Sequence, residues 1–309
     1  LIKVDKPNMA QKGTISVEKT GEVFFGVNVS GEENKDVIYQ PVYKVKGLAG
    51  AVYEITADED VITPDGTLRY HKGDVVDTVT TDEDGTAKSK ELYLGKYTVV
   101  ETKAPTGMVI NKEKHSVELT YAGQDVAVTE TATSFVNERQ KVKISLEKIL
   151  EQDETFGIGK NDEIKNISFG LYAKEDIVSS SGTAIPADGL IEIITLDENG
   201  AATANTDLPF GSYYVKEIAT DEHYILSDTQ YPFTFEYAGQ DTETVEIKVN
   251  DGKPIENKLI YGSVSGKKID ENGEALGGAL IGIFKADETE FTNCLLYTSP
   301  SPRDISGSR

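Results

Sequence analysis

The chain has 309 residues, 53 of them acidic and 31 basic, for a net charge of −22, and 38% are hydrophobic. That length holds two or three domains and that apolar share supports folding, while the acidic excess argues against nucleic acid or an anionic membrane surface as partner. A single cysteine, Cys294, excludes a disulfide framework and a thiolate zinc site, and no apolar run approaches the roughly 18 residues of a membrane-spanning helix.

Residues 1–10 read as the end of a preceding segment, because the chain opens at Leu1 with neither an initiator Met nor a signal peptide. The first predicted strand is Gly13-Thr-Ile-Ser-Val-Glu-Lys19, in which Ile15 and Val17 alternate with polar residues. A long stretch, an extra hairpin or a surface loop, separates it from Leu48-Ala-Gly-Ala51. Turn signals follow at Pro64-Asp-Gly66 and Asp82-Glu-Asp-Gly85, then a strand with Tyr97, Val99 and Glu101, then Tyr121-Ala-Gly-Gln-Asp125 and Phe135-Val-Asn137.

The landmarks then recur in the same order. Val142-Lys-Ile-Ser-Leu-Glu-Lys148 answers the first strand, Asp197-Glu-Asn-Gly200 the turn, and Tyr213, Val215 and Glu217 the middle strand. Tyr237-Ala-Gly-Gln-Asp241 repeats the motif at Tyr121, an offset of 237 − 121 = 116, and Ile255-Glu-Asn257 closes the second copy. A third copy starts at Gly262-Ser-Val-Ser-Gly-Lys-Lys268. Many short strands with Gly and Asp turns and no helical period predict an all-β chain of tandem β-sandwich domains. One unit spans 11–139, a second 140–259, and 260–292 is the truncated start of a third. Residues 293–309, with the only Cys and a Ser/Pro/Arg composition, resemble translated sequencing-adapter read-through and are set aside.

Strand parity makes one prediction sharp. Side chains alternate with period two, so Lys19 shares the inward face of Ile15 and Val17, and Lys148 that of Ile144 and Leu146. Glu101 follows Tyr97 and Val99, and Glu217 follows Tyr213 and Val215; Asn137 follows Phe135, and Asn257 follows Ile255. Any one of these, a strand-end Lys above all, is ordinarily a side chain snorkelling to water. A Lys, a Glu and an Asn turned inward twice, in the same order, calls for a pairing inside each unit, because a lone buried charge is costly.

At these residues the chain resembles the collagen-adhesin B-type (Cna-B), or SpaA-like, prealbumin-like domain of Gram-positive surface proteins and pilins. The shared features are a first strand ending in Lys, Leu48-Ala-Gly-Ala51 with Tyr53, Gly95 to Glu101 running into Ala104-Pro-Thr-Gly107, and a last strand holding Asn137. The third start adds Lys268-Ile-Asp270, Leu276-Gly-Gly-Ala279 and Phe284, so the likeness covers nearly all of residues 11–291. The second unit departs from it, with Ser168-Phe-Gly-Leu-Tyr172 where Gly-Ala-x-Phe is usual and Ala219-Thr-Asp where Ala-Pro-x-Gly is usual.

The resemblance implies immunoglobulin-like or transthyretin-like sandwiches and a spontaneous isopeptide bond in each complete unit, Lys19 to Asn137 and Lys148 to Asn257. Glu101 and Glu217 would shuttle the protons, and Lys268 would be the first member of an incomplete third site. Burial favours an uncharged amine and an uncharged acid, which suits attack of the amine on the amide with loss of ammonia. The change happens once and turns nothing over, so the chain is not expected to be an enzyme.

Other candidates carry less. His71, His115 and His223 fall at unrelated places in the repeat and are expected in surface loops. The Asp82-Glu-Asp-Gly85 run lacks the twelve-residue loop and closing Glu of a calcium site. Tyr39, Tyr43 and Tyr70 fit strand or hairpin packing better than a ligand groove. No phosphate-binding loop, nucleophile elbow or zinc-protease motif occurs, and no cofactor or metal is called for.

The expected function is a structural stalk or spacer in a surface adhesin, extracellular and wall-anchored in the full-length protein. Host matrix or another cell-surface ligand would be met by segments beyond this chain, with no nucleic-acid partner and no membrane insertion here. The alternatives are a pilin shaft, whose Tyr-Pro-Lys segment has only Tyr231-Pro232-Phe233 as a counterpart, and the accessory region of a secreted enzyme.

Overall fold

A computed structural model describes residues 8–31, 37–154, 157–263 and 265–278. Cys294, Phe284 and the tail from 293 lie outside the described residues, as do residues 1–7.

Alternation of apolar and polar residues produces two β-sandwiches. In the first unit the strand Lys12–Ser30 runs parallel to Val128–Asn137 and also pairs with Thr86–Lys88 and Leu92–Tyr93. A four-stranded sheet faces it, in the order Lys114–Leu119, Gly95–Lys103, Val52–Ala57, Val75–Thr80. Ile15, Val17, Tyr53, Ile55, Tyr97, Val99 and Phe135 fill the space between. In the second unit Lys141–Leu150 runs parallel to Thr244–Lys248 and Ile255–Asn257 and antiparallel to Ala201–Thr203. The strands Leu190–Thr195, Ser168–Ala173, Gly211–Ala219 and Gln230–Phe235 cover it in that order, over a core of Ile144, Leu146, Phe169, Leu171, Tyr213 and Val215. Among the described residues, helix is limited to two short 3-10 turns, Glu163–Asn166 and Val249–Gly252.

The stretch between Lys19 and Leu48 is a hairpin. The first strand continues beyond Lys19 to Ser30, and Ile38–Gly47 returns beside it, with a bulge between Phe24 and Gly26. Its outer half serves the other unit. Phe24, Val27 and Tyr39 pack against the second core, the amides of Ser180 and Ser181 donate to the carbonyls of Phe24 and Phe25 at 3.1 Å each, and Ile38 forms a parallel bridge to Leu190.

Two further devices fix the joint. Arg139, in the three residues between the strands Val128–Asn137 and Lys141–Leu150, is buried; it donates through both terminal nitrogens to the Asp207 carboxylate, lies 3.5 Å from Glu22 and sits 3.6 Å over the Tyr43 ring. The repeated Tyr-Ala-Gly-Gln-Asp motif is a loop held by a glutamine at the start of each unit. The Gln140 side chain accepts from Ala238 N at 2.8 Å and donates to the carbonyls of Gly239 and Thr242. The Gln11 side chain does the same with Ala122, Gly123 and Val126. In the second unit that loop also meets the first: Ala104 N donates to Gln240 Oε1 at 2.9 Å and Ile110 N to the Gln240 carbonyl at 2.9 Å.

Candidate functional site

Parallel pairing of first and last strands sets the geometry. Lys19 lies opposite Phe135 and Lys148 opposite Ile255, so Asn137 and Asn257 stand two residues further along on the same inward face. The carboxylates come from the facing sheet, where Glu101 pairs with Tyr53 and Glu217 with Phe169. All six polar residues are buried, none more than 2% exposed.

In the first unit Lys19 Nζ donates to Asn137 Oδ1 and lies 3.2 Å from Glu101 Oε1. Asn137 Nδ2 donates to both Glu101 oxygens at 3.0 Å. In the second unit Lys148 Nζ donates to Asn257 Oδ1 at 2.6 Å, with Glu217 Oε1 at 3.6 Å, and Asn257 Nδ2 donates to Glu217 Oε1 at 2.7 Å. Burial pushes the pKa of Lys19 and of Lys148 below the ordinary lysine value, against the opposing pull of the neighbouring carboxylate.

Parity does not predict the backbone groups that hold these side chains. The amide of Asn111 donates to Glu101 Oε2 at 2.7 Å, and that of Ser227, at the same distance in sequence, to Glu217 Oε2 at 3.0 Å. In the repeated Asp-Gly turn the leading carboxylate holds the turn's own backbone: Asp82 Oδ1 accepts from the amides of Asp84 and Thr86, and Asp197 Oδ1 from those of Asn199 and Ala201. The turn glycine then anchors the lysine, because Lys19 N donates to the Gly85 carbonyl and Lys148 N to the Gly200 carbonyl, both at 2.7 Å. The recurrence of that turn was the available signal; its partner was not visible in the sequence.

The remaining candidates go elsewhere. Lys268 is exposed, and its carbonyl accepts from the amide of Leu276 beside a small turn around Asp270. His115 corrects the surface-loop expectation: it lies in the strand Lys114–Leu119, half-buried, stacked on Phe135 at 3.9 Å and 2.7 Å from the Thr133 hydroxyl. Strand alternation turns it toward the sandwich. Tyr39 and Tyr43 belong to the joint, and Tyr70 packs on Tyr93 and Tyr97. Among the described residues no three His, Cys, Asp or Glu side chains gather as a metal site, and no helix is long and apolar enough to cross a membrane.

The family model of the SpaA prealbumin-like fold domain matches residues 42–133 and 154–253. The chain belongs to this SpaA family. Both matched SpaA segments contain the glutamate and stop short of the lysine and asparagine that flank it, so those two rest on the geometry above. Comparison with curated proteins returns no match. Among solved structures, the chain is similar to the Bacillus anthracis TIE protein at 18% identity and TM-score 0.47, over 91% of this chain and 43% of that one. It thus spans less than half the length of that relative. It is also similar to a minor pilin of Streptococcus agalactiae, at 16% identity and TM-score 0.28 over 83% and 100% of the two chains. The shaft pilin SpaA of Lactobacillus rhamnosus GG follows at 12% identity and TM-score 0.27, over 82% and 100%.

Proposed function

We propose that each complete SpaA unit of this chain closes itself with one Lys–Asn isopeptide bond and that the units serve as a load-bearing stalk of a Gram-positive surface protein. The observation that carries this is the direct contact of a buried amine with a buried carboxamide, beside a buried carboxyl, in both units.

The chemistry needs only these groups. Moving a proton from Lys Nζ to the carboxyl leaves an uncharged nucleophile in surroundings that already disfavour charge. The amine attacks Asn Cγ and the Cγ–Nδ2 bond breaks; the carboxyl passes to Nδ2 both protons that Nζ gives up, one before the attack and one after it, so the nitrogen leaves as ammonium, the protonated form of ammonia. The carboxyl ends as it began, so each unit reacts once and the chain is no turnover catalyst.

The bond would join the first and last strands across 118 residues in the first unit and 109 in the second. Tension on the chain ends would then load covalent bonds in place of the sheet, a role common to an adhesin stalk and a pilus shaft. An extracellular, wall-anchored setting belongs to the same proposal. Intact mass tests it: the chain should weigh less than its sequence by one ammonia per complete unit, and digestion should yield linked Lys19–Asn137 and Lys148–Asn257 peptides. Full sequence mass with no linked peptide rejects it.

A further inference from the structure

Superimposing the two sites through their strand registers exposes a substitution that keeps one hydroxyl in each. The residue paired with the glutamate is Tyr53 in the first unit and Phe169 in the second. Three residues beyond the glutamate stands Ala104 in the first unit and Thr220 in the second. The unit with the tyrosine therefore lacks the threonine, and the unit with the threonine lacks the tyrosine.

Each hydroxyl lies at the reacting groups. In the second unit the Thr220 hydroxyl accepts from Asn257 Nδ2 at 2.9 Å, so the leaving nitrogen is held by two oxygens, Glu217 Oε1 and Thr220 Oγ1. In the first unit Ala104 cannot do this, and Asn137 Nδ2 has the two oxygens of Glu101, both at 3.0 Å, as its acceptors. There Tyr53 is fully buried, its ring centroid is 6.0 Å from Lys19 Nζ, and its hydroxyl has no well-formed hydrogen bond beside the Glu101 carboxyl. Burial first, then the charge of Glu101 and a hydrogen-bonding interaction with its carboxyl, raise the Tyr53 pKa, so the phenol keeps its proton and remains a donor toward that carboxyl. A buried hydroxyl whose hydrogen bond is poorly formed costs stability, which a purely packing residue such as Phe would avoid.

We infer that Tyr53 and Thr220 are alternative positioning residues for the bond-forming step, one steering the carboxyl and the other the leaving nitrogen. This rests on the bond-forming function proposed above. Neither hydroxyl is consumed: the Nζ–Cγ bond forms, the Cγ–Nδ2 bond breaks, and the glutamate carries the proton.

The test is a pulse of cell-free synthesis followed by mass analysis of both linked peptides over time. Each chain holds both sites, so the untouched unit is an internal control for folding. Tyr53→Phe should slow the first bond about fivefold to tenfold, the worth of one hydrogen bond, and leave the second unchanged. Thr220→Val, which keeps the shape and removes the hydroxyl, should do the reverse. Adding Ala104→Thr to Tyr53→Phe, which copies the second unit's arrangement, should restore the first rate. Unaltered rates in both single variants overturn the inference, and so does a slowed first bond that Ala104→Thr fails to restore. Absence of any bond in the unaltered chain would instead overturn the bond-forming proposal.

Discussion

Lys148 is buried to 2% exposure with its amine on an amide oxygen, a position that water would compete for at the surface. Glu217 is the one ionisable group the contacts place on both the amine and the amide nitrogen. Glu217→Gln keeps the volume but cannot cycle a proton, so the chain should lose a single ammonia, with Lys19–Asn137 linked and Lys148 free in the digest. A linked Lys148–Asn257 peptide in that variant would remove the glutamate from the chemistry.

The lysine pKa gives a second expectation. In an Asn257→Ala chain Lys148 stays unbonded and titratable. Its folded pKa lies below the ordinary 10.5, so between the lowered value and 10.5 the unfolded chain binds more protons than the folded one. Stability of that variant should therefore be lowest below this window and rise as the pH climbs through it. The bonded chain, whose Lys148 no longer titrates, should lack this contribution, and urea midpoints across alkaline pH would show the difference.

At the scale of elements, the turn before the strand Ala201–Thr203 sets the lysine's place. Gly200 has φ near +80°, and a Cβ there would collide with the Lys148 carbonyl oxygen. Gly200→Ala should destabilise the second unit by more than about 2 kcal/mol and delay its bond, because the left-handed backbone and the clash add. Chemical denaturation with peptide mapping would read both. The joint invites a different test. Arg139 bridges Asp207, Glu22 and the Tyr43 ring, and its removal strands a partly buried Asp207. Arg139→Ala should leave both internal bonds intact while broadening the inter-unit distance measured between spin labels on the two sandwiches. An unchanged distribution would leave the hairpin as the main brace.

Across the whole molecule, the two proposed bonds would close loops of 118 and 109 residues and limit what unfolding can release. By the chain-entropy account of cross-links, losing the second bond through Asn257→Ala should cost about 4–5 kcal/mol, roughly 15 °C in melting temperature. Calorimetry should then show one transition falling and the other staying, since the two cores are separate clusters. The long hairpin moderates that independence, because Phe24, Val27 and Tyr39 belong in sequence to one unit and in packing to the other.

The all-β class and the inward Lys, Glu and Asn of each unit were legible in the sequence because both depend on local periodicity, and the repeat because the same motifs recur 116 residues apart. A period of two states which face a side chain takes without any knowledge of its neighbours. It could not state that Lys19 runs parallel to Phe135, that Thr220 rather than Ala219 matches Ala104, or that the stretch after Lys19 leans on the next unit. The strand pairing and the hairpin contact join residues 116 and 152 positions apart, such as Lys19 with Phe135 and Ile38 with Leu190, and only the tertiary packing selects them.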